Sequence, residues 1–193
     1  YGIALNEFID PARSGVITAD PKQVLAGNNQ LTAAAVGHSA QMFKMNSMSH
    51  SGIGDFDPAT RIANAGYAGN TVQRPENIGY ASGNAFNSDA AKLPTEQQYA
   101  LQFSLNSHLG LFRDKPGVDT KGGPNEEAGG HRLAMLDPSY KEVGIGVTMV
   151  TTYPTLNGMP GIDATFYQTQ NFGNNSTQSF LTGAVYNDTD KDN

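Results

Sequence analysis

The chain has 193 residues, of which 38% are hydrophobic and 16% charged, and its net charge is −6. This apolar content suffices for one folded domain, or for one domain with a fragment, and argues against wholesale disorder. The acidic balance, without any basic run, disfavours a nucleic-acid interface, and no apolar stretch reaches the roughly 18 residues of a membrane span. Because the sequence has no cysteine, disulfides, thiolate metal sites and a cysteine nucleophile are excluded.

Helical patterns dominate the first two thirds of the chain. Residues 3–9 predict a short amphipathic helix that stops before Pro11, and residues 58–65 predict another that begins at Pro58. Between them, residues 30–46 predict a longer helix, because apolar residues and one histidine recur every three or four positions. The members of this stripe are Leu31, Ala34, Ala35, His38, Met42 and Met45.

A second long helix is predicted over about residues 95–113, where Thr95 and Gln98 have the T-x-x-Q spacing of a capping box. The glycine-rich segment 114–129 predicts a long loop, and loops of this length are often functional. Residues 131–136 predict a short helix. The expected buried stripe of the long helix consists of Leu101, Leu105, His108, Leu109 and Phe112.

Strand patterns lie mainly in the last third of the chain. Residues 75–83 predict a short strand or extended turn, and residues 163–172 are rich in Thr, Phe and Tyr. Residues 142–150 alternate apolar side chains with Gly144 and Gly146, and this glycine face would let another layer approach closely. Helices followed by strands indicate an α+β fold, with helices packed on a small antiparallel sheet.

Four histidines and one carboxylate are the candidates for chemistry. His38 and His108 lie on helical stripes, which is typical of a satisfied histidine in the core or wall. His50 lies in a turn after a helix, and His131 starts a short helix, whose N-terminus disfavours a charged imidazole. Glu76 begins an extended segment, so its carboxylate must be solvated, paired or bound to a cation.

Two neutral imidazoles and one carboxylate, from His50, His131 and Glu76, could form a three-ligand site for Zn²⁺ or a similar ion, with water in an open position. The gaps of 26 and 55 residues between them match no compact metal motif. Spacing by itself therefore leaves a metal site and a purely structural role both open.

Five sequence elements, taken in order, resemble those of bacterial CAP-superfamily domains, the sperm-coating-protein and pathogenesis-related group. The resemblance covers about residues 3–173 and implies a three-layer α-β-α sandwich with a central cleft. It also implies a secreted, extracellular bacterial protein. The elements are Asn29 to Met42, Ser49-His-Ser-Gly52, Arg61 with Gly66-Tyr67, Glu76-Asn-Ile-Gly79, and Gly130-His-Arg132 with Leu136-Asp-Pro138 and Tyr140 to Gly146.

In this family the cleft carries a His-Glu-Glu-His tetrad, which binds a divalent metal in some members. The resemblance places His50, Glu76 and His131 in three of the four positions. Many members have a glutamate soon after an aromatic residue, often Trp, at the end of the long helix; this chain has no Trp, and Asp114 is the best substitute. Three protein ligands plus water are therefore the expectation. The competing candidates for the fourth position are Glu126 and Glu127.

The C-terminal segment 181–193 departs from the globular pattern, so the expected domain spans residues 1–180. Asp188, Asp190 and Asp192 have the D-x-D-x-D spacing that opens an oxygen-rich Ca²⁺ loop. The segment resembles the truncated start of a calcium-binding repeat of secreted bacterial proteins, and a solvated acidic terminus is the alternative. This tail, and the absence of an initial Met, indicate a mature or trimmed part of a longer chain.

Three functions stay open from the sequence. The first is a secreted binding domain, with a metal in its cleft and a lipid, glycan or protein partner. The second is a metal-dependent hydrolase in which His50 and His131 hold the metal, while Glu76 is a ligand or general base. The third is a structural module of a larger, calcium-stabilised exoprotein.

Overall fold

The computed structural model describes residues 4–9, 16–51, 54–71, 75–114, 130–175 and 180. None of the helices in these ranges is long and apolar enough to cross a membrane. The elements in chain order are β1 (Ala26–Gly27), α1 (Asn29–Met45), α2 (Pro58–Asn64), β2 (Glu76–Phe86), a 3₁₀ turn (Ala90–Lys92), α3 (Glu96–Arg113), α4 (Gly130–Leu136), β3 (Glu142–Thr152), β4 (Thr155–Leu156) and β5 (Met159–Gly173).

Strand β5 lies at the centre of the sheet, between β3 on one side and β2 on the other, and both pairings are antiparallel. The short β1 continues the sheet beyond β3 in the parallel direction, and β4 pairs with the beginning of β5. Strand β2 extends beyond the predicted 75–83 because it pairs with β5 as far as Phe86. The two strands predicted in the last third are confirmed as β3 and β5.

Helix α1 packs against one face of the sheet at very close range, as the glycine alternation predicted. An added Cβ at Gly144 would lie 2.1 Å from the carbonyl carbon of Leu31, and one at Gly146 would lie 2.1 Å from the amide nitrogen of Val36. The helix backbone therefore rests directly on β3. Of the predicted stripe, only Met45, at the C-terminal end of the helix, is exposed. The buried residues of α1 are Leu31, Ala34, Ala35, His38, Ser39 and Met42.

Helix α3 covers the opposite face of the sheet. Gly146 pairs with Thr169 and Gly79 with Gln168, and successive residues of β5 point to opposite faces. An added Cβ at Gly79 would lie 2.3 Å from Ser107 Oγ of α3. Helices on both faces of the antiparallel sheet make the predicted α-β-α arrangement of an α+β fold.

The predicted buried stripe of α3 is wrong, although the capping box at its start is formed. Its buried residues are Tyr99 and Leu111, whereas Leu101 and Leu105 are 61% and 58% exposed. The sequence pattern predicted the wrong buried face because α3 has apolar residues on two sides. The side that packs against the sheet also includes the polar Ser107. Periodicity cannot choose between two apolar faces, since that choice depends on which one meets the sheet.

The predicted helix at 3–9 is also wrong in the described part, because residues 4–9 form a turn. The Asn6 side chain accepts a hydrogen bond from the amide of Ile17 at 2.7 Å and donates to its carbonyl at 2.9 Å. Phe8 has a φ of +66°, which no right-handed helix accommodates. Hydrogen bonds between Asn6 and Ile17, 11 residues apart, thus take the place of the predicted helical hydrogen bonds.

The contact between α1 and β3 leads to a stability prediction. We expect Gly146→Ala to lower the free energy of unfolding by about 3 kcal/mol or more, because the new methyl group would meet backbone atoms that cannot rotate away. Gly37→Ala is the matched control. Gly37 lies on α1, the helix that Gly146 contacts, and a Cβ added there meets nothing within 4 Å. That control should raise stability by up to about 1 kcal/mol. Urea unfolding measures both, and a Gly146→Ala protein as stable as wild type would contradict the close packing.

Candidate functional site

A pocket of about 270 Å³ lies where the chain enters β2, beside the beginnings of α2 and α4. His50, Glu76 and His131 all border it, although 26 and 55 residues separate them along the chain. The fold thus brings the three sequence-predicted residues to one cavity. Its other lining residues are Pro58, Pro75, Asn77 and Gly130.

The carboxylate of Glu76 forms the floor of the site and is buried. Its Oε1 accepts a hydrogen bond from His50 Nδ1 at 3.0 Å, and its Oε2 accepts one from Arg61 Nη2 at 2.6 Å. Since a buried carboxylate without a partner is costly, these two donors account for its position at the edge of the sheet. Of the three possibilities that the sequence left open for Glu76, the structure shows pairing.

Arg61, from α2, ties the loop that carries His50 to this carboxylate. Its Nη2 also donates to the His50 carbonyl at 3.0 Å, and its Nη1 donates to the carbonyls of Asp55 and Phe56. Asp57 is the N-cap of α2, the helix that carries Arg61. Hydrogen bonds from the Thr60 side chain and amide hold the pKa of Asp57 below its ordinary value. The guanidinium of Arg61 thus holds both the Glu76 carboxylate and the backbone of His50, the histidine that pairs with it.

His38 lies fully buried beneath the same loop. Its Nδ1 is 2.6 Å from Asp55 Oδ2, its Nε2 is 2.9 Å from the carbonyl oxygen of Ser49, and that nitrogen is 3.8 Å from Glu76 Oε1. Because a carbonyl only accepts, Nε2 carries a proton. His38 is therefore a satisfied core histidine, as its position on the helical stripe predicted.

His131 borders the other side of the pocket and has its own carboxylate. Asp114, buried and in the left-handed conformation at the C-cap of α3, accepts from His131 Nδ1 at 2.8 Å and from the His131 amide at 2.8 Å. Asp114 does not line the pocket, so it reaches the site through His131. Each imidazole at the pocket therefore pairs with one carboxylate through Nδ1.

Arg132 anchors this half of the site from below, where it is fully buried. Its Nε donates to the carbonyl of Phe112 at 2.7 Å and its Nη2 to the carbonyl of Arg113 at 2.6 Å. These are end carbonyls of α3, where a helix favours a cation. Its Nη1 donates to the carbonyls of Leu5 and Glu7, which joins the N-terminal turn to the site.

Sequence reasoning missed the supporting role of three residues, Arg61, Asp55 and Arg132. A charged residue on the apolar face of a helix was the available signal for Arg61, since burying a cation requires an anion nearby. Asp55 carried no such signal because it lies in a loop. Of the remaining candidates, His108 is exposed and lies outside the pocket lining, where its Nδ1 accepts a hydrogen bond from Gln170 Nε2 at 3.2 Å. Lying outside the described residues are Glu126, Glu127, Asp188, Asp190 and Asp192.

A zinc-type ion, as expected from the sequence, would need nitrogen and oxygen donors directed at one point in the pocket. Among residues 4–9, 16–51, 54–71, 75–114, 130–175 and 180, no three histidine or acidic side chains are arranged to hold an ion. Each oxygen of Glu76 accepts one hydrogen bond, from His50 and from Arg61. Nε2 of His50 and Nε2 of His131 bond to no described residue, and their side chains are 44% and 31% exposed. With Nδ1 protonated in each ring, these two nitrogens carry the lone pairs that a cation would need.

The buried pair of Arg61 and Glu76 predicts a large effect on stability. We expect Arg61→Met to lower the free energy of unfolding by about 3–5 kcal/mol, because it leaves the Glu76 carboxylate buried without its cation. Adding Glu76→Gln should recover part of the loss. Lys92→Met is the control, since Lys92 and Asp89 form an exposed pair, which contributes about 0–1 kcal/mol. A loss from Arg61→Met no larger than that of the control in urea unfolding would show that the pair is not structural.

Two solved structures of other proteins are similar to parts of this chain. An extracellular protein with an SCP domain from Bacillus anthracis shares 19% identity and a TM-score of 0.38, covering 80% of this chain. An outer surface protein from Borrelia burgdorferi shares 13% identity and a TM-score of 0.33, covering 79% of each chain. The chain spans only 35% of the Bacillus protein, and a search of curated proteins finds no significant match. The model of the CAP family, described as the cysteine-rich secretory protein family, matches residues 5–172. Although it contains no cysteine, the chain therefore belongs to the CAP family.

Proposed function

We propose that this chain is an exported binding domain whose cleft holds a divalent cation, zinc or a similar ion, between His50 and His131. The observation that carries the proposal is the matched pairing of each imidazole. His50 Nδ1 meets Glu76 at 3.0 Å and His131 Nδ1 meets Asp114 at 2.8 Å, on two sides of one pocket.

The pairing sets the tautomer of both rings. When Nδ1–H donates to a carboxylate, a neutral imidazole keeps its lone pair on Nε2, and the carboxylate raises its basicity as a ligand. Glu76 and Asp114 therefore orient the histidines rather than bind the ion. Two protein ligands leave the remaining coordination positions to water or to an incoming ligand, which suits a binding role.

This arrangement differs from the hydrolase alternative in the part that Glu76 plays. A general base must accept a proton from a bound water, yet Arg61 holds one oxygen of Glu76 and His50 holds the other. The geometry thus favours binding over hydrolysis. The natural ligand that we propose is a lipid, glycan or protein met outside the cell, because the family is described as secretory.

Calcium binding remains a separate prediction for the parent protein. It depends on Asp188, Asp190 and Asp192, which the structure does not describe.

Zinc titration by calorimetry, after treatment with a chelator, tests the cleft. We expect one zinc ion per chain for the wild type, and no binding for His50→Ala/His131→Ala, because both Nε2 ligands are lost. Asp114→Asn should weaken binding by about 10–100-fold, since His131 loses the carboxylate that orients it. His108→Ala is the control, because this exposed histidine does not line the pocket. Circular dichroism verifies that each variant is folded.

Two results would contradict the proposal. The first is the absence of zinc binding by the folded wild type. The second is binding that survives in the double histidine variant, which would place the ion elsewhere on the chain.

A further inference from the structure

A second pocket, which we call the far pocket, lies at the end of the sheet opposite to the cleft. Its volume is about 330 Å³, near the lower limit of the roughly 300–1,000 Å³ that is typical of small-molecule sites. Glu76 of the cleft pairs with Asn171 of β5, whereas Gly161 of the far pocket lies ten residues earlier on that strand, about 33 Å away along it. The far pocket is therefore separate from the site proposed for the divalent cation. Among its lining residues are Leu93, Pro94, Glu96, Tyr153, Pro154 and Pro160.

Two segments distant in sequence form the walls of the far pocket. One wall runs from the 3₁₀ turn to the start of α3, which the capping box of Thr95 and Gln98 fixes. The other wall is the arm between β3 and β5, where the amide of Gly161 donates to the carbonyl of Pro154 at 2.8 Å. Three of the lining residues are prolines, whose fixed φ restricts both walls further. The far pocket is therefore largely preformed, as small-molecule sites usually are.

The carboxylate of Glu96 connects the two walls. Its Oε1 accepts hydrogen bonds from the hydroxyl groups of Thr151 and Tyr153, which hold the pKa of Glu96 below its ordinary value. The carboxylate is therefore ionised at neutral pH, and the two hydroxyl groups orient it. Its Oε2 accepts no hydrogen bond from any residue that the structure describes. One oxygen of a charged group that lines the far pocket is thus available to a ligand.

The described part of the chain supplies no cation to balance this charge. None of its basic side chains lies within ion-pair distance of Glu96, and the neighbouring Lys92 pairs with Asp89 at 3.6 Å. An anion in the far pocket would be repelled by Glu96, and an apolar neutral ligand would cover that charge without a partner, which is costly. A cation with N–H groups instead donates charge-assisted hydrogen bonds to Oε2. The charge of the lining therefore favours a positively charged occupant.

The rest of the lining suits the hydrocarbon part of such a cation. Tyr153 is 67% exposed, and an aromatic ring attracts a cation that lies within about 6 Å of its centre. Leu93 and the prolines add apolar surface. We infer that the far pocket binds a small primary alkylammonium ion, whose ammonium group donates to Glu96 beside the Tyr153 ring while its chain lies along Leu93 and the prolines. This inference does not depend on the metal proposed for the cleft.

Chemical-shift titration of the ¹⁵N-labelled protein with pentylammonium tests the class of ligand. We expect saturable shifts at the amides of Leu93, Glu96 and Tyr153, with a dissociation constant of about 1–10 mM because so small a ligand makes few contacts. Pentanol and pentanoate have the same chain without the positive charge, and both should bind at least about tenfold more weakly. The absence of saturable shifts at these amides, or pentanol that binds as tightly as pentylammonium, would overturn the inference.

Matched acid-to-amide variants test the contact with Glu96. Glu96→Gln should weaken the binding of pentylammonium about tenfold, because the charge that faces the ligand is lost. Asp89→Asn is the control, since Asp89 is a nearby exposed acid outside the described lining, and asparagine can replace it as the N-cap of the 3₁₀ turn. Circular dichroism verifies that both variants are folded. Equal losses in the two variants would indicate attraction to the general negative charge of this region and would contradict a specific site.

The same titration distinguishes a free amine from a lysine of another protein. Nα-acetyl-lysine methylamide carries the same ammonium group on a chain of similar length, together with a peptide backbone. It should bind no more tightly than pentylammonium, because the far pocket needs only the ammonium group and its chain. Binding tighter by about tenfold or more would assign the pocket to the lysine side chain of a protein partner and would overturn the free amine as its ligand.

Discussion

Burying the carboxylate of Glu76 where β2 begins requires a cation beside it, and Arg61 supplies that cation at 2.6 Å. Much of the site follows from this requirement. The same guanidinium donates to the carbonyls of His50 and Asp55, so it connects the segment after α1 to the carboxylate at the beginning of β2. Glu76 in turn holds the His50 ring, and the pocket wall is thereby fixed by one ion pair rather than by regular secondary structure.

The opposite wall is built on the same principle with different residues. Asp114 ends α3 in a left-handed conformation and holds His131 through two hydrogen bonds, while Arg132 covers the last carbonyls of that helix. Each half of the cleft thus has a histidine at the surface, a carboxylate behind it and a buried arginine that anchors backbone. This repetition on two segments distant in sequence supports the proposal that the pocket is a functional site.

The sheet determines how these halves meet. Glycines on β3 bring α1 onto one face at backbone distance, and α3 and α4 lie toward the other face. His50 lies in the loop that follows α1, and Asp114 lies at the end of α3. Both walls of the pocket are therefore attached to helices that pack on the sheet.

The sequence alone determined the order and kind of most elements, since capping at Thr95, the glycine alternation of β3 and the helical stripe around His38 are local signals. It also offered His50, Glu76 and His131 as candidates from their local settings, whereas the resemblance to a family was needed to join them in one cleft and to add Asp114, because their spacing matches no compact motif. What the tertiary structure decided was which groups face each other. Whether Glu76 is solvated, paired or bound to an ion depends on Arg61, 15 residues away, and which side of α3 is buried depends on the sheet. Local propensity carries no information on either, because both are properties of contacts between segments distant in sequence.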